Sequence, residues 1–168
     1  VHDGPSKHAR EGIADNGRRS SLRLVYAETP RRFKDWGHSS RAYALEHHVE
    51  SPYVLFTNGD NYYVPRFVEF AMTPFDDPAV GVVFFDMVHS HERAESVPPG
   101  DYGYFKTEFQ PFRCDMGAFV TRTDIARRVG FHHRHNTADA SFIEEINADR
   151  LQHPFEIVKV DRVLFVHN

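Results

Sequence analysis

Cysteine is almost missing from the sequence, since Cys114 is the only one among 168 residues. A single cysteine excludes an intrachain disulfide framework and any zinc site built from several cysteines. No apolar run approaches the roughly 18 residues of a membrane span, no secretion signal opens the chain, and no HExxH motif is present. The formal net charge of −4 excludes the strongly basic composition of many nucleic-acid-binding domains. We therefore expect a cytoplasmic globular protein with no nucleic-acid partner and no transmembrane segment.

Strand-like and helix-like segments alternate along the chain, which predicts an α/β fold in a single domain over residues 1–168. Residues 6–16 and 39–50 have helical patterns, the second capped by Ser39 or Ser40. Residues 22–27 are predicted to form a strand. Residues 53–56 are a short apolar run typical of a parallel strand buried on both faces, and residues 79–85 are the strongest strand candidate. Residues 90–113 have no period and are interpreted as a lid or an acceptor-side loop.

The end of the chain continues the alternation. Residues 117–121 predict a strand, and residues 124–129 predict a helix that ends at Gly130. A further helix covers 139–151. Two short strands, 155–160 and 163–166, are predicted to close the fold.

Polar residues that follow apolar strands are the first candidates for a site, because ligands bind at the carboxyl ends of strands in open α/β sheets. Asp3 follows an opening apolar position, Asn58 and Asp60 follow residues 53–56, and Asp139 begins a helix. An exposed carboxylate beside amides suits a hard divalent cation. Each position also has a plain structural interpretation: a turn aspartate, a solvated Asn-Gly turn, or an aspartate at a helix N-terminus.

Four cations lie close to Gly37 in the sequence. They are Arg31, Arg32, Lys34 and Arg41. Such a group neutralises a diphosphate well. A solvated basic loop is an equally good interpretation from the sequence alone.

Taken in order, these segments resemble the inverting family 2 glycosyltransferases with the GT-A fold, over nearly the whole chain. Residues 1–6 resemble the acidic turn that contacts the uridine end of the donor, and residues 37–42 resemble the glycine-led start of a helix carrying a donor-binding Arg. Residues 54–61 resemble the strand that ends in the metal-binding Asp-x-Asp-Asp signature. Asp139 falls where that family has its catalytic base, and His167 matches a histidine that reaches the metal or the diphosphate.

The resemblance implies a Rossmann-like mixed, mostly parallel sheet flanked by helices, with residues 1–89 as the nucleotide-sugar-binding half and 90–168 as the acceptor-side half. It implies an inverting glycosyltransferase that moves a sugar from a nucleotide-diphosphate donor, UDP-linked, to a saccharide or other hydroxyl acceptor. The implied donor-binding residues are Asp3, Gly37, Arg41, Asn58 and Asp60. Asp60 and His167 would hold Mn²⁺ or Mg²⁺, and Asp139 would be the base.

Three departures from the family pattern shape the expectations. Asn58 and Asn61 replace carboxylates of the metal signature, Ala138 replaces the usual Glu before the base, and the family's first strand and helix would precede Asp3. We therefore expect the sequence to be an excerpt. The processive Gln-x-x-Arg-Trp element is absent, since the only tryptophan is Trp36, so a non-processive enzyme is favoured. The alternatives are a catalytically degenerate nucleotide-sugar or carbohydrate-binding module and a sugar-nucleotide pyrophosphorylase.

Overall fold

The structure, a computed structural model, describes residues 1–17, 23–89 and 102–167. These residues belong to two units: Val1–Glu50 with Gly130–Ala138, and Ser51–Val129 with Asp139–Asn168. The boundaries of the units differ from the predicted boundary between residues 89 and 90. The functional division into a donor half and an acceptor half therefore stays a prediction.

The described residues of the first unit form two helices, α1 (Lys7–Gly17) and α2 (His38–His47). The predicted strand at 22–27 does not form in its described residues, 23–27, and the next residue, Glu28, makes an isolated parallel bridge with His2. The capping prediction for α2 is also wrong, because Ser39 lies inside the first turn. The N-cap residue is Gly37, and Asp35 accepts hydrogen bonds from the Ser39 backbone N–H at 3.0 Å and from its hydroxyl at 2.6 Å.

The second unit is built on a six-stranded sheet with the order β1-β5-β3-β6-β2, and β4 pairs with β3. The strands of the described residues are β1 (Tyr53–Val54), β2 (Tyr62–Tyr63), β3 (Val80–His89), β4 (Gly103–Phe105), β5 (Phe119–Arg122) and β6 (Glu156–His167). Strand β4 lies inside the segment 90–113 that was predicted to be a loop, and residues 90–101 of that segment fall outside the described residues. The helices are α3 (Phe67–Met72), α4 (Thr123–Val129) and α5 (Ala138–Gln152), with 3₁₀ turns at Thr73–Asp76 and Met116–Ala118.

The sheet is mixed, but it is not mostly parallel as predicted. Among the strand pairs of the described residues, only β3 with β6 is parallel, and the other four pairs are antiparallel. The 53–56 strand illustrates the error, because β1 pairs antiparallel with β5. An apolar run indicates that a strand is buried on both faces. Strands buried in this way occur in parallel and in antiparallel sheets, so the run does not predict the direction of the strand relative to its neighbours.

The core lies around β3, the strand that pairs with β4, β5 and β6. Nine of its ten residues are buried. Gly81 has no room for a side chain, since a Cβ there would lie 2.4 Å from Phe155 and 2.6 Å from Ile125. Helix α5 packs its fully buried residues Phe142, Ile143 and Ile146 into the same core, as the helical period predicts.

The two predicted closing strands are one strand, β6. Its pairing with β3 shifts between Val160 and Val163, so that Asp161 and Arg162 bulge outward and are exposed. A polar pair between apolar runs resembles a turn in sequence, which explains the error.

A buried ion pair joins β3 to β6. Lys159 Nζ lies 2.7 Å from the Asp86 carboxylate, and Asp86 is only 5% exposed. The same carboxylate accepts hydrogen bonds from the Tyr104 hydroxyl at 2.7 Å and the Thr107 N–H at 2.8 Å. Lys159 also donates to the Thr107 carbonyl at 3.0 Å. The network therefore fixes β4 and the segment after it to the centre of the sheet.

Candidate functional site

The loop between β1 and β2 carries the predicted donor and metal residues Asn58 and Asp60. The Asn61 backbone N–H donates to the Asn58 carbonyl at 3.5 Å, and the Asn61 side chain donates to the Thr57 hydroxyl at 3.1 Å. The loop is therefore closed by its own polar groups. Asp60 lies at its tip in an exposed position, where its carboxylate is accessible to a ligand.

Strand register brings this loop to the end of β6. Tyr62 pairs with Val166 and Tyr63 pairs with Phe165 in an antiparallel ladder. One further step places Asn61 opposite His167, because antiparallel partners advance in opposite directions. The strand register therefore places the Asp60 loop and His167 at one edge of the second unit, and their shared role in binding a metal stays a prediction.

Asp139 lies in the first turn of α5, where the sequence predicted it. Phe142, three residues later on the same face of the helix, packs edge-on against Phe56 with ring centroids 6.1 Å apart. Phe56 leads directly into the loop of Asn58 and Asp60. This aromatic contact ties the start of α5 to the strand that carries the donor loop. The Oδ1 atom of Asp139 is buried, which reduces the freedom of the carboxylate.

His167 lies beside two groups that the sequence did not predict, His89 and Asp115. His89 and His167 end the parallel strands β3 and β6 in register, and their rings stack with centroids 4.0 Å apart at 25°. The His167 Nε2 atom lies 3.6 Å from Asp115 Oδ2. The Nδ1 atoms of both histidines are buried. The ring of His167 is thus held from one side by His89 and faces a carboxylate through Nε2.

Asp115 is held in place through a chain of contacts. Its Oδ1 accepts the Gly117 N–H at 2.7 Å, and the Gly117 carbonyl accepts the Tyr63 hydroxyl at 2.8 Å. A Cβ at Gly117 would lie 2.6 Å from the ring of Phe165, so only glycine allows this approach. Burial raises the pKa of Tyr63, which keeps its hydroxyl protonated as a donor.

The cysteine beside Asp115 is not a candidate nucleophile. Cys114 is 7% exposed, and burial raises the pKa of its thiol well above the usual value. Since the thiolate is the reactive form, this thiol is inert. The chemistry of the edge is therefore that of carboxylates and imidazoles.

Asp3 belongs to the first unit and accepts hydrogen bonds from the loop that carries the basic residues before Gly37. Its two oxygens accept the backbone N–H groups of Phe33 at 2.8 Å and Lys34 at 3.0 Å. Desolvation raises the pKa of Asp3, but these N–H bonds outweigh it and the pKa is lowered. Asp3 is therefore anionic at neutral pH. Each carboxylate oxygen has a second lone pair, so contact with a nucleobase remains a prediction.

Gly37 and Arg41 lie at the start of α2, also in the first unit. Gly37 is the N-cap residue with φ of 85°, a left-handed conformation that glycine adopts without strain. The Arg41 guanidinium donates to the Trp36 carbonyl at 3.2 Å and lies 3.4 Å from His38 Nδ1. The two predicted donor-binding residues are thus neighbours. Lys34 and Trp36 also have positive φ, so the turn before α2 stores backbone strain.

The edge of the second unit offers few side chains that could bind a divalent cation. Among the described residues, no group of three or more His, Cys, Asp or Glu side chains is arranged to hold a metal. Asp60 fits nevertheless, because Mg²⁺ is commonly bound through one or two carboxylates with substrate phosphates and waters completing the shell. His167 offers only Nε2, which faces Asp115.

Comparison with known proteins gives the fold. No family model and no curated protein matches the chain. Solved structures of S. aureus TarS do match. The structure of TarS 1-349 has a TM-score of 0.70 at 16% identity and covers 100% of this chain and 50% of its own. Its complex with UDP-GlcNAc gives 0.66 at 16%, over 97% and 47% of the two chains, and its complex with UDP gives 0.67 at 17%, over 97% and 48%.

The resemblance to glycosyltransferases predicted from the sequence is therefore confirmed at the level of the fold, which this chain shares with the TarS glycosyltransferase. The chain spans about half the length of the TarS 1-349 structures. No helix in the described part of the chain is long and apolar enough to cross a membrane.

Proposed function

We propose that this protein is a non-processive inverting glycosyltransferase that moves a sugar from a UDP-linked donor to a hydroxyl of a saccharide or related acceptor. One observation carries the proposal: the exposed Asp60 loop lies in register with His167, and the Phe56–Phe142 contact ties that loop to the helix that begins at Asp139. Asp60, which would act on the leaving group, and Asp139, which would act on the acceptor, thus belong to the same unit. The shared fold with proteins solved with UDP-GlcNAc and UDP supports the donor class.

Asp139 acts as the general base. The acceptor oxygen forms a bond to the anomeric carbon while the bond from that carbon to the diphosphate oxygen breaks and its electron pair stays with the departing nucleoside diphosphate. The acceptor proton passes to the Asp139 carboxylate. A base for this step must come within hydrogen-bond reach of the acceptor hydroxyl. The partly buried position of Asp139, with Oδ1 buried, supports this role because it limits the carboxylate to few orientations.

Charge on the leaving diphosphate is neutralised by basic and cation-binding residues. Arg41 would pair with phosphate oxygens, and its place behind the Gly37 turn supports this role. Asp60, with His167, would hold Mn²⁺ or Mg²⁺, which supplies positive charge to the developing phosphate oxyanion. Asn58 and Asp3 would contact the nucleotide end of the donor.

Calorimetric titration with UDP, GDP and CDP, with and without Mn²⁺, tests the donor assignment. We expect Mn²⁺-dependent binding of UDP, lost in Asp60→Ala and kept in the control Asp76→Ala, an exposed carboxylate of the same unit. If wild type binds none of the three nucleotides, the assignment is wrong. Release of pyrophosphate from a nucleoside triphosphate and a sugar phosphate would instead identify the pyrophosphorylase alternative.

The catalytic role is tested by Asp139→Asn with Glu144→Gln as the control. Glu144 is an exposed carboxylate on the same helix. We expect Asp139→Asn to bind UDP like wild type and to lose sugar transfer by at least 10²-fold, in the range of general base contributions, while Glu144→Gln keeps both. Full turnover in Asp139→Asn would refute the role. Donor binding by wild type with no transfer to any hydroxyl acceptor would favour the binding-module alternative.

A further inference from the structure

Phe112 combines two properties that rarely occur together in an aromatic residue. It is 74% exposed, and its backbone has φ of 63°, in the left-handed region where a bulky L-residue is strained. Because the ring stays largely in solvent, its burial does little to offset this strain. Strained residues of this kind are concentrated at functional sites. A contact with a ligand explains both the exposure and the strain, whereas packing in the core explains neither.

The segment that carries this residue, called the Phe112 loop and comprising residues 108–113, is closed by its own contacts. The Glu108 N–H donates to the Arg113 carbonyl at 3.0 Å, and the Arg113 N–H donates to the Gln110 carbonyl at 3.1 Å. The side chains of Glu108 and Arg113 form an ion pair at 2.9 Å. The loop thus has a defined shape before any ligand binds, which lowers the entropic cost of binding.

Phe109 anchors the Phe112 loop to the core and to α5. It is 9% exposed, and its ring packs edge-on against Phe119 with centroids 5.2 Å apart. Its carbonyl accepts a hydrogen bond from the Asn147 side chain at 3.5 Å. Asn147 lies eight residues after Asp139 on α5, which is about 12 Å along the helix axis. A ligand that contacts both Asp139 and the Phe112 loop is therefore longer than one sugar ring.

The surroundings of Phe112 favour a saccharide over a protein or a lipid surface. A partner of either of those kinds needs a larger apolar patch than one ring provides. A sugar ring has a face of C–H groups comparable in size to a phenyl ring, with hydroxyl groups around its edge. Carboxylate, amide and guanidinium groups can form hydrogen bonds with those hydroxyls. The other exposed residues from 106 to 113 are all polar: Lys106, Glu108, Gln110 and Arg113.

We propose that the Phe112 loop is a saccharide-binding subsite in which a sugar ring stacks on Phe112. Identifying this saccharide as the acceptor rests on the proposed function. The ring on Phe112 is then at least one sugar unit away from the hydroxyl that Asp139 deprotonates. The acceptor is therefore a chain of sugar units and not a single sugar, and residues 108–113 are the part of the predicted lid or acceptor-side loop that binds it.

A glycan array that carries linear saccharides of increasing length tests the subsite, and calorimetric titration with the saccharide that binds best gives its Kd. We expect wild type to bind saccharides of two or more rings. We expect Phe112→Ala to weaken binding by at least about tenfold, as the loss of an aromatic anchor does. Phe112→Tyr keeps the ring and should bind like wild type. Leu151→Ala, which truncates an apolar residue of the same unit that is 81% exposed, is the control and should also bind like wild type.

Phe112→Gly separates a ring that binds a ligand from a ring that stabilises the fold. Glycine adopts a φ of 63° without strain. We therefore expect its melting temperature to equal or exceed that of wild type, while its saccharide binding is lost as in Phe112→Ala. If Phe112→Gly and Phe112→Ala both lower the melting temperature by several degrees, the ring has a structural role and the proposal is overturned.

Three binding results would also overturn the subsite: unchanged saccharide affinity in Phe112→Ala, no saccharide bound by wild type, or Phe112-dependent binding only to vesicles of phosphatidylcholine and phosphatidylglycerol. Titration with UDP distinguishes these failures from a failure of the proposed function, because none of the variants is expected to change UDP binding. Phe112-dependent saccharide binding by a protein that does not bind UDP would refute the proposed function and leave the saccharide subsite in place.

Discussion

Lys159→Met isolates the buried carboxylate of Asp86 at the centre of the second unit. The substitution keeps the length and apolar stem of the side chain and removes the ammonium that lies 2.7 Å from Asp86. Asp86 is 5% exposed, so water does not replace the lost partner. Removing one partner of a buried pair costs about 3–5 kcal/mol, because a buried charge remains uncompensated.

The lower end of that range applies here. Asp86 keeps two hydrogen bonds after the substitution, from the Tyr104 hydroxyl and the Thr107 N–H. We therefore expect a loss of about 3 kcal/mol in the free energy of unfolding. For a chain of this size, 1 kcal/mol shifts the melting temperature by about 2–4 °C, so the expected fall is about 6–12 °C.

Thermal unfolding followed by circular dichroism measures the shift, and urea unfolding measures the free energy. Glu69→Gln is the matched control, because it removes one charge from the exposed pair with Arg66 in the same unit and is expected to leave the melting temperature unchanged. In the double variant Asp86→Leu/Lys159→Met no buried charge remains. Its free energy of unfolding is expected to fall by about 1–3 kcal/mol, because the Thr107 N–H loses its acceptor. A melting temperature for Lys159→Met within 2 °C of wild type would contradict the reasoning.

Two further predictions follow from contacts in the core. Gly117→Ala places a methyl group 2.6 Å from the ring of Phe165 and is expected to cost about 1–3 kcal/mol by overpacking. Gly12→Ala, with nothing within 4 Å of its added Cβ, should keep or raise the melting temperature; equal stability of the two variants would contradict the packing argument. Desolvation raises the pKa of Asp86, but the hydrogen bond from Lys159 and its other donors lower it below the usual value. Asp86 thus contributes stability above about pH 4 that is lost as pH falls through its folded-state pKa. The urea midpoint of Asp86→Asn should therefore fall less steeply than that of wild type between pH 5 and pH 2, and parallel curves would refute this.

Helix positions were predicted well, because helix signals depend on residues close in sequence. The predicted helix at 124–129 forms as α4 (Thr123–Val129), and Gly130, with φ of 67°, follows its end as predicted. Strand direction was predicted wrongly, since pairing partners far away in sequence decide it. The antiparallel pairing of Tyr53 with Arg122 leaves no trace in residues 53–56.

For the same reason only part of the candidate site could be proposed from the sequence, and the roles of its residues stay predictions. Asp60, Asp139 and His167 each follow or begin an element whose position the sequence shows. Asp115 lies after a segment without period. Its position beside His167 depends on contacts between residues far apart in sequence, such as the hydrogen bond from Tyr63 to the Gly117 carbonyl. The available signal was Gly117 at the start of the predicted strand 117–121, because a glycine in a strand often marks a close approach of backbone and neighbouring side chains.

The anchoring of β3 and β4 makes the intervening segment a suitable position for protein engineering. His89 pairs with Gly103, and Asp86 binds Thr107 just beyond β4, so the residues on both sides of the connection are held by the sheet. Lengthening the connection between two fixed ends costs little, about 0.6 kcal/mol for each doubling of its length. An epitope or fluorescent label inserted between residues 94 and 95 should therefore leave the sheet folded, and it would give a reporter of acceptor binding on the protein itself.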